Sequence, residues 1–381
     1  MDKYKTISAF NKWFSNIILK KLPFSIREKI SQADKYHKKF DFEHFLKVFL
    51  YGIDNECESL REIDTAFVSP DLQQTMALDA ISHSQLSREL AQMDDEILWA
   101  IFAQLLEKAR SKIPVTKRNA LYLVDSSTFS LNTTRYPWAD FRSTKAGIKL
   151  HLKLCFMDKE HLYPDQFEVT NAVEHDDNHL EVFVNQPEAT YIFDRGYIDY
   201  ERLDEMEADG YFFVTRVKKN AKVHVLETYE PSQSKNILRD QMVVLGTQVY
   251  FTSPFRLVTI QDEKGKQLRF VTNRFDVTAQ EVADMYKARW QIELFFKHIK
   301  QHMTIKKLFS HSEKGVSNQI ILAMIASLLT YLLKVETGSK KSPFQIKRLL
   351  KHLLFQPFEE LWYYSFLRDE IAFVVVATVF R

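Results

Sequence analysis

Glycine is scarce in this chain: 8 of 381 residues, with the closest two, Gly196 and Gly210, fourteen positions apart. A phosphate-cradling loop needs glycines clustered within a few residues, so P-loop nucleotide hydrolysis and dinucleotide binding are excluded. Cysteine is nearly absent. Cys57 and Cys155 stand far apart, which excludes a cysteine-built zinc ribbon and a disulfide framework and fits a reducing cytosol. No long membrane-type run is present either. The longest apolar stretch, residues 320–333, is short for a bilayer and carries Ser327, Thr330 and Tyr331, so it reads as a buried helix. The first residues lack the apolar core of a signal peptide. The expectation is a soluble, cytoplasmic protein with no membrane partner.

What is present is ordinary globular material, 45% hydrophobic and 27% charged, enough for one large domain or two. The net charge of +2 conceals a local excess. Between residues 286 and 315 stand seven bases (Lys287, Arg289, Lys297, Lys300, Lys306, Lys307, Lys314) against Glu293 and Glu313. One basic segment on a near-neutral chain suggests a polyanion held at a site, or simply a solvated helix face.

Residues 1–115 read as helical. The segment from Asp94, Asp95 and Glu96 to Lys108, Arg110 and Lys112 has acids first and bases last, matching a helix dipole, and Pro114 stops it. Strands follow: a short apolar run ending on Asp125, an alternating half-buried strand at 149–156 with a hairpin partner, and a buried strand from Thr190 to Asp194. A helix closed by Gly210 and a further strand complete an α/β pattern. Residues of about 218–275 are β-rich and read as an insertion. A helix then starts at Thr278, with Glu281 completing a capping box, and continues to Met303.

On that helix Tyr286, Arg289, Glu293 and Lys300 lie within about 60° of one another at 100° per residue, with Lys297 flanking. An adjacent stripe of Val282, Met285, Ile292, Phe296, Ile299 and Met303 is apolar, so Glu293 belongs at the edge of a buried face. Alone, Arg289 and Glu293 also read as a local ion pair. Asp125 and Asp194, each at a strand end where α/β sheets gather functional groups, widen the reading. Three hard carboxylates from two strands and a helix can bind two divalent cations, and two such ions can flank a phosphodiester during in-line displacement. Arg289 and Lys300 would hold phosphates.

Here the chain resembles the DDE transposases of bacterial insertion sequences, in particular the insertion-sequence-four group. The resemblance rests on the Y-x2-R-x3-E-x6-K signature at Tyr286, Arg289, Glu293 and Lys300, on Asp194-Arg195-Gly196-Tyr197, and on LYLVDSST around Asp125. It spans about residues 55–335. It implies a ribonuclease-H-like catalytic core at 116–335 with a β-rich insertion, an N-terminal helical DNA-binding domain at 1–115, and a C-terminal helical extension at 336–381. It implies Asp125, Asp194 and Glu293 as catalytic metal ligands for two Mg²⁺ or Mn²⁺ ions, and Tyr286, Arg289, Lys297 and Lys300 as DNA contacts. The partners implied are double-stranded DNA, at terminal inverted repeats and at the target, and a second copy in a homodimer on DNA, at the bacterial nucleoid. The activity implied is cut-and-paste transposition through hairpin ends. Relatives stack a flipped base on a tryptophan of the insertion. No tryptophan lies between residues 211 and 280, leaving Tyr229, Tyr250, Phe251 or Phe255 to substitute.

Five further features stand aside from the signature. His175–His179 (HDDNH) has metal-ligand residue types but stands where a helix should start, and His151 reads as a packed strand histidine. Lys145 and Lys149 lie near Asp125, in contact with DNA or in a solvated loop. SHSQLSREL reads as the second helix of a helix-turn-helix, with Gln85, Ser87 and Arg88 toward DNA. The closing run IAFVVVATVFR has no counterpart in the family pattern and reads as a strand or a replaced end. Two other functions use the same residues: a nuclease that only cuts, and a transposase-derived DNA-binding protein that has lost catalysis.

Overall fold

The computed structural model describes residues 7–37, 39–112, 121–142, 145–172, 177–218, 220–230, 236–246, 253–302 and 307–366. Seven helices come first: α1 (Ala9–Phe14), α2 (Phe24–Asp34), α3 (Phe42–Asp54), α4 (Leu60–Ala66), α5 (Pro70–Met76), α6 (His83–Gln92) and α7 (Asp95–Lys112). Their starts are written locally. Asp41, Ser59, Ser69 and Ser82 each accept a hydrogen bond from an amide three residues on, satisfying donors that a helix start leaves orphaned.

The sheet follows: β1 (Leu121–Leu131), β2 (Asp140–Arg142), β3 (Lys145–Phe156) and β4 (Leu162–Asn171). After α8 (Asp177–Phe183) come β5 (Thr190–Phe193), α9 (Tyr200–Ala208) and β6 (Phe212–Arg216), then β7 (Val223–Thr228), β8 (Ile237–Leu245), β9 (Phe255–Gln261) and β10 (Gln267–Thr272). Gly210, at φ +76°, turns the chain after α9, a conformation glycine adopts without a Cβ penalty. β1, β3 and β4 form an antiparallel meander, while β5 runs parallel to both β1 and β6.

Two sequence expectations change here. The run ending on Asp125 is not a strand end: β1 continues to Leu131, because β3 pairs with it along its whole length. The β-rich stretch continues the same sheet, where β10 pairs with β6 in the order β2-β3-β1-β5-β6-β10-β9-β8-β7. The strand at 149–156 is buried on both faces rather than half-exposed, with Lys153 inside. Lys153 is accommodated because Asp165, at a bulge in β4, sits 3.2 Å from its Nζ, and Arg110 of α7 meets the same carboxylate at 2.5 Å.

Helices α10 (Ala279–Ala288) and α11 (Trp290–His302) cross beside the sheet, and α12 (Glu313–Thr337), α13 (Pro343–Leu353) and α14 (Phe358–Phe366) complete the chain. The capping box at Thr278 and Glu281 is present. The single helix expected from Thr278 is interrupted at Arg289, where bonds tighten to a three-residue spacing (Arg289 N to Tyr286 O and Ile292 N to Arg289 O, both 3.1 Å). Among the described residues, α12 alone is long and apolar enough to cross a bilayer, and it is buried inside the protein, as the run at 320–333 suggested. It packs on α7, α6, α3 and β4, so the helices and the sheet share one apolar core. Two of its polar side chains tie it to the N-terminal helices: Asn318 Nδ2 donates to Leu90 O and Met93 O at 3.0 Å, and Thr330 Oγ1 accepts from Trp13 Nε1 at 3.3 Å.

The expected division near residue 115, the closing run, and His175 and Asp176 fall outside the described residues. Asp177 does open a helix, α8.

Candidate active site

Parallel pairing builds the first half of the site. Val124 of β1 is in register with Phe193 of β5, so the next residues, Asp125 and Asp194, are neighbours across two adjacent strands. β5 stops there and the chain turns through a short 3-10 segment, Arg195–Tyr197, while β1 runs on. The second half is the α10–α11 pair. Its apolar residues Val282, Ile292, Phe296 and Ile299 are buried and fix the rotation of both helices. Met303 lies outside the described residues.

That rotation brings Tyr286 and Arg289 onto the strand acids, Glu293 onto Arg289, and Lys300 onto β1 beyond Asp125. Tyr286 Oη donates to Asp194 Oδ1 at 3.3 Å, its ring stacked on Phe270 of β10 at 4.5 Å. Arg289 is 3.3 Å from Asp125 Oδ2 through Nη1 and 2.5 Å from Glu293 Oε1 through Nη2. Its Nε is buried without an acceptor among the described residues. Lys300 Nζ donates to Ser127 Oγ at 2.7 Å and to Thr128 O at 3.2 Å, just beyond Asp125 on β1. Lys297 is exposed on the same helix.

The electrostatics follow from burial. The Asp125 carboxyl is pushed up to about 6, chiefly by desolvation, with the charges of Asp194 and Glu293 adding to the rise and the Ser126 amide and Arg289 opposing it. Burial also raises the Tyr286 phenol to about 12, which keeps it a proton donor at neutral pH.

Oxygen-only carboxylates suit a hard divalent cation by chemistry, and a cation beside Asp125 would oppose the effect of its burial. In this conformation Arg289 bridges Asp125 and Glu293. Among the described residues no three Asp, Glu, His or Cys side chains stand close enough to hold one ion. The donor set suits a divalent cation by its chemistry, and the guanidinium of Arg289 stands between two of its members in this conformation.

Other sequence candidates separate. Lys149 lies opposite Thr128 on β3, near the Lys300 contact, whereas the side chain of Lys145 is outside the described residues. His151 is buried, its Nε2 3.0 Å from Thr170 Oγ1, a packed histidine as expected. Phe255 is fully buried and cannot offer a face to a base; its position in the sheet interior is the reason. Tyr250 and Phe251 lie outside the described residues. The sequence reading passed over Trp290, 57% exposed and next to Arg289, because it sought an aromatic in the β-rich stretch instead. Arg88, on α6, is exposed and does not join the acid cluster.

Comparison with known proteins gives the family. The transposase DDE domain family model matches residues 117–329. A protein of Geobacillus stearothermophilus described as the probable transposase for insertion sequence element IS5377 is 29% identical over 80% of this chain and 79% of its own. A Sinorhizobium fredii relative named as transposase y4zB is 30% identical over 56% of this chain and 60% of its own. One from Synechocystis sp., named for insertion sequence element IS4SA, is 28% identical over 47% and 50%. Among solved structures, the piggyBac transposase synaptic complex with hairpin DNA has a TM-score of 0.47 at 10% identity, covering 97% of this chain and 84% of that one. By the extent of the family match, and with both aspartates and the helix signature inside it, this chain belongs to the DDE transposases of insertion sequences.

Proposed function

We propose that the chain cuts DNA at the terminal inverted repeats of its element and joins the freed ends to target DNA. Asp125, Asp194 and Glu293 would be the catalytic carboxylates. The observation that carries this reading is the meeting of Tyr286, Arg289 and Lys300 with residues of β1 and β5 around those acids.

The strand order supports a ribonuclease-H-like core: an antiparallel meander of β4, β3 and β1 continued by parallel β5 and β6. The three acids would hold two Mg²⁺ or Mn²⁺ ions, which in such sites stabilise the entering and leaving oxygens of a phosphodiester displacement. Arg289, released from Asp125 and Glu293, presents a planar fork to a phosphate. Lys300 holds the backbone beside β1 as a point charge, with Lys297 further out. Tyr286 keeps the Asp194 carboxylate oriented. Trp290 offers the exposed aromatic face on which an unpaired base at a hairpin end can stack. Cutting two ends together calls for a homodimer on DNA, at the nucleoid in the bacterial cytoplasm.

The test is cleavage of a duplex carrying the repeats that flank the gene, with Mg²⁺ supplied. Wild-type protein cuts at the terminus. Asp125→Ala, Asp194→Ala and Glu293→Ala each bind the duplex and do not cut it. Normal cutting by all three variants overturns the assignment, and binding without cutting by the wild type makes the chain a DNA-binding protein.

A further inference from the structure

We propose that the outward face of α2, with Lys20 and Lys21 before it and Lys39 after it, docks the phosphate backbone of the element-end duplex; this rests on the transposase reading above. Helix α2 is unusual in that none of its eleven residues is buried. Its half-buried Ile26 and Ile30 pack against the apolar core, and the helix lies against α7 and α3. At 100° per residue the outward stripe is Phe24, Arg27, Glu28, Ser31 and Lys35, all exposed, with half-buried Asp34 at its edge about 20° from Arg27.

That stripe and the turn just after α2 each carry an exposed aromatic beside a cation. Phe24 is 68% exposed and Tyr36 is 83% exposed. Each ring lies beside a cation: Arg27 is 5.8 Å from the Phe24 ring and Lys35 is 5.6 Å from the Tyr36 ring. Around them stand the exposed Lys20, Lys21 and Lys39. The acids do not balance these charges. Asp34 is half-buried and accepts from the Phe42 amide at 2.7 Å, while Lys29 is the base committed to carboxylates, Asp94 at 2.8 Å and Glu96 at 2.6 Å. Glu28 and the engaged Asp34 are left against five exposed bases.

Charge complementarity selects a polyanion, and spacing suits a duplex. The lysine pair at 20–21 and the bases at 35–39 are separated by α2, about 16 Å of helix. A major groove is about 12 Å wide between its two backbones, so the two ends of the helix can each meet one strand. Tyrosine hydroxyls and basic side chains are common partners of phosphates and position a protein without reading sequence. The neighbouring element fixes which duplex. His37, just past α2, lies 3.8 Å from Glu89 of α6, and exposed Ser87 and Arg88 stand beside Glu89. A surface that grips backbone thus adjoins the helix expected to reach base edges, on the same DNA.

The test compares wild type with a Lys20→Glu, Lys21→Glu, Arg27→Glu, Lys35→Glu variant. A labelled duplex of mixed sequence is titrated with each protein over a range of salt. The variant is expected to bind at least about tenfold more weakly at low salt. Its plot of log affinity against log salt flattens by about 0.9 for each phosphate that is no longer neutralised. The matching lysine-to-arginine and arginine-to-lysine variant retains both values, and thermal melting of both variants follows wild type because every changed side chain is exposed. Unchanged affinity and slope overturn the proposal while leaving cleavage by the three acids untouched. If the wild type fails to cut its element end but the variant still binds duplex more weakly, the docking surface stands and the catalytic reading falls. A loss confined to anionic vesicles or to self-association, with duplex binding intact, assigns the face to a lipid surface or a second copy and overturns it.

Discussion

Arg289 Nη2 lies 2.5 Å from Glu293 Oε1, one helical turn away, and the other arm of the same guanidinium reaches Asp125 at 3.3 Å. A local helix pair is thereby also a link between α11 and β1. The cation sits between two of the three acids that would share metal ions, which makes it both a support for their charge and a group that must move before they can be bridged.

Arg289→Gln is therefore expected to separate two effects. Without the guanidinium the Asp125 carboxyl rises above its present value of about 6, readable by carboxyl carbon titration. Cleavage falls by about 10²–10³, the usual cost of removing one oriented donor from a phosphoryl site. Arg289→Lys recovers little, since a point charge cannot make the fork. Full activity in Arg289→Gln would show that the residue has no part in holding phosphate.

Lys300→Ala removes the bonds to Ser127 and Thr128 that place a cation beyond Asp125. The variant should neutralise about one phosphate fewer on the duplex, a slope change of about 0.9 in log affinity against log salt, and cleavage should fall with it. An unaltered slope would mean that Lys300 serves only to tie α11 to β1.

Burial makes a different forecast for Lys153. Its ammonium, Asp165 and Arg110 form a chain from β3 through β4 to α7, and burial pulls the lysine pKa down while Asp165 holds it up. Lys153→Met leaves a buried carboxylate short of a partner and should cost about 3 kcal/mol in urea unfolding. Lys153→Met with Asp165→Leu should recover much of that loss. Equal loss in the single and double variants would contradict it.

Asp54, at the end of α3, is fully buried, and neither carboxylate oxygen has a hydrogen-bond partner among the described residues. Burial pushes its pKa up to about 6 from 3.8. The folded state therefore holds a proton that the unfolded chain has released between about pH 4 and pH 6. Its contribution favours folding below that window and is lost as pH rises through about 6. Asp54→Asn should raise stability at pH 8 by about 2–3 kcal/mol, from about two pKa units at 1.36 kcal/mol each, and flatten the dependence across the window. Unchanged melting at pH 8 would contradict this.

Periodicity made the α10–α11 face legible in the sequence, since residues one and two turns apart on a helix must share a direction whatever they pack against. The kink at Arg289 was not legible, because a single three-residue bond spacing leaves no mark on composition. Strand pairing was the larger gap. The pattern around Asp125 shows an apolar run and a polar successor, and only the pairing with β3 carries the strand on to Leu131. In the same way the β-rich stretch shows its strands but not that β10 joins β6. Contacts between distant segments, such as Lys153 with Asp165 across a bulge, depend on register. Exposure follows the same rule: Phe255 and Trp290 are both aromatic, but the fold buries one and exposes the other, next to Arg289 in the chain.

The decisive measurement is an anomalous-scattering crystal structure of the protein with Mn²⁺ and a duplex ending at its terminal repeat. Two Mn²⁺ peaks among the carboxylates of Asp125, Asp194 and Glu293, with Arg289 turned from between the acids onto a phosphate, are expected. Manganese bound elsewhere, with Arg289 still bridging Asp125 and Glu293 and the DNA end lying away from β1, would contradict the assignment of these acids as the cleaving centre.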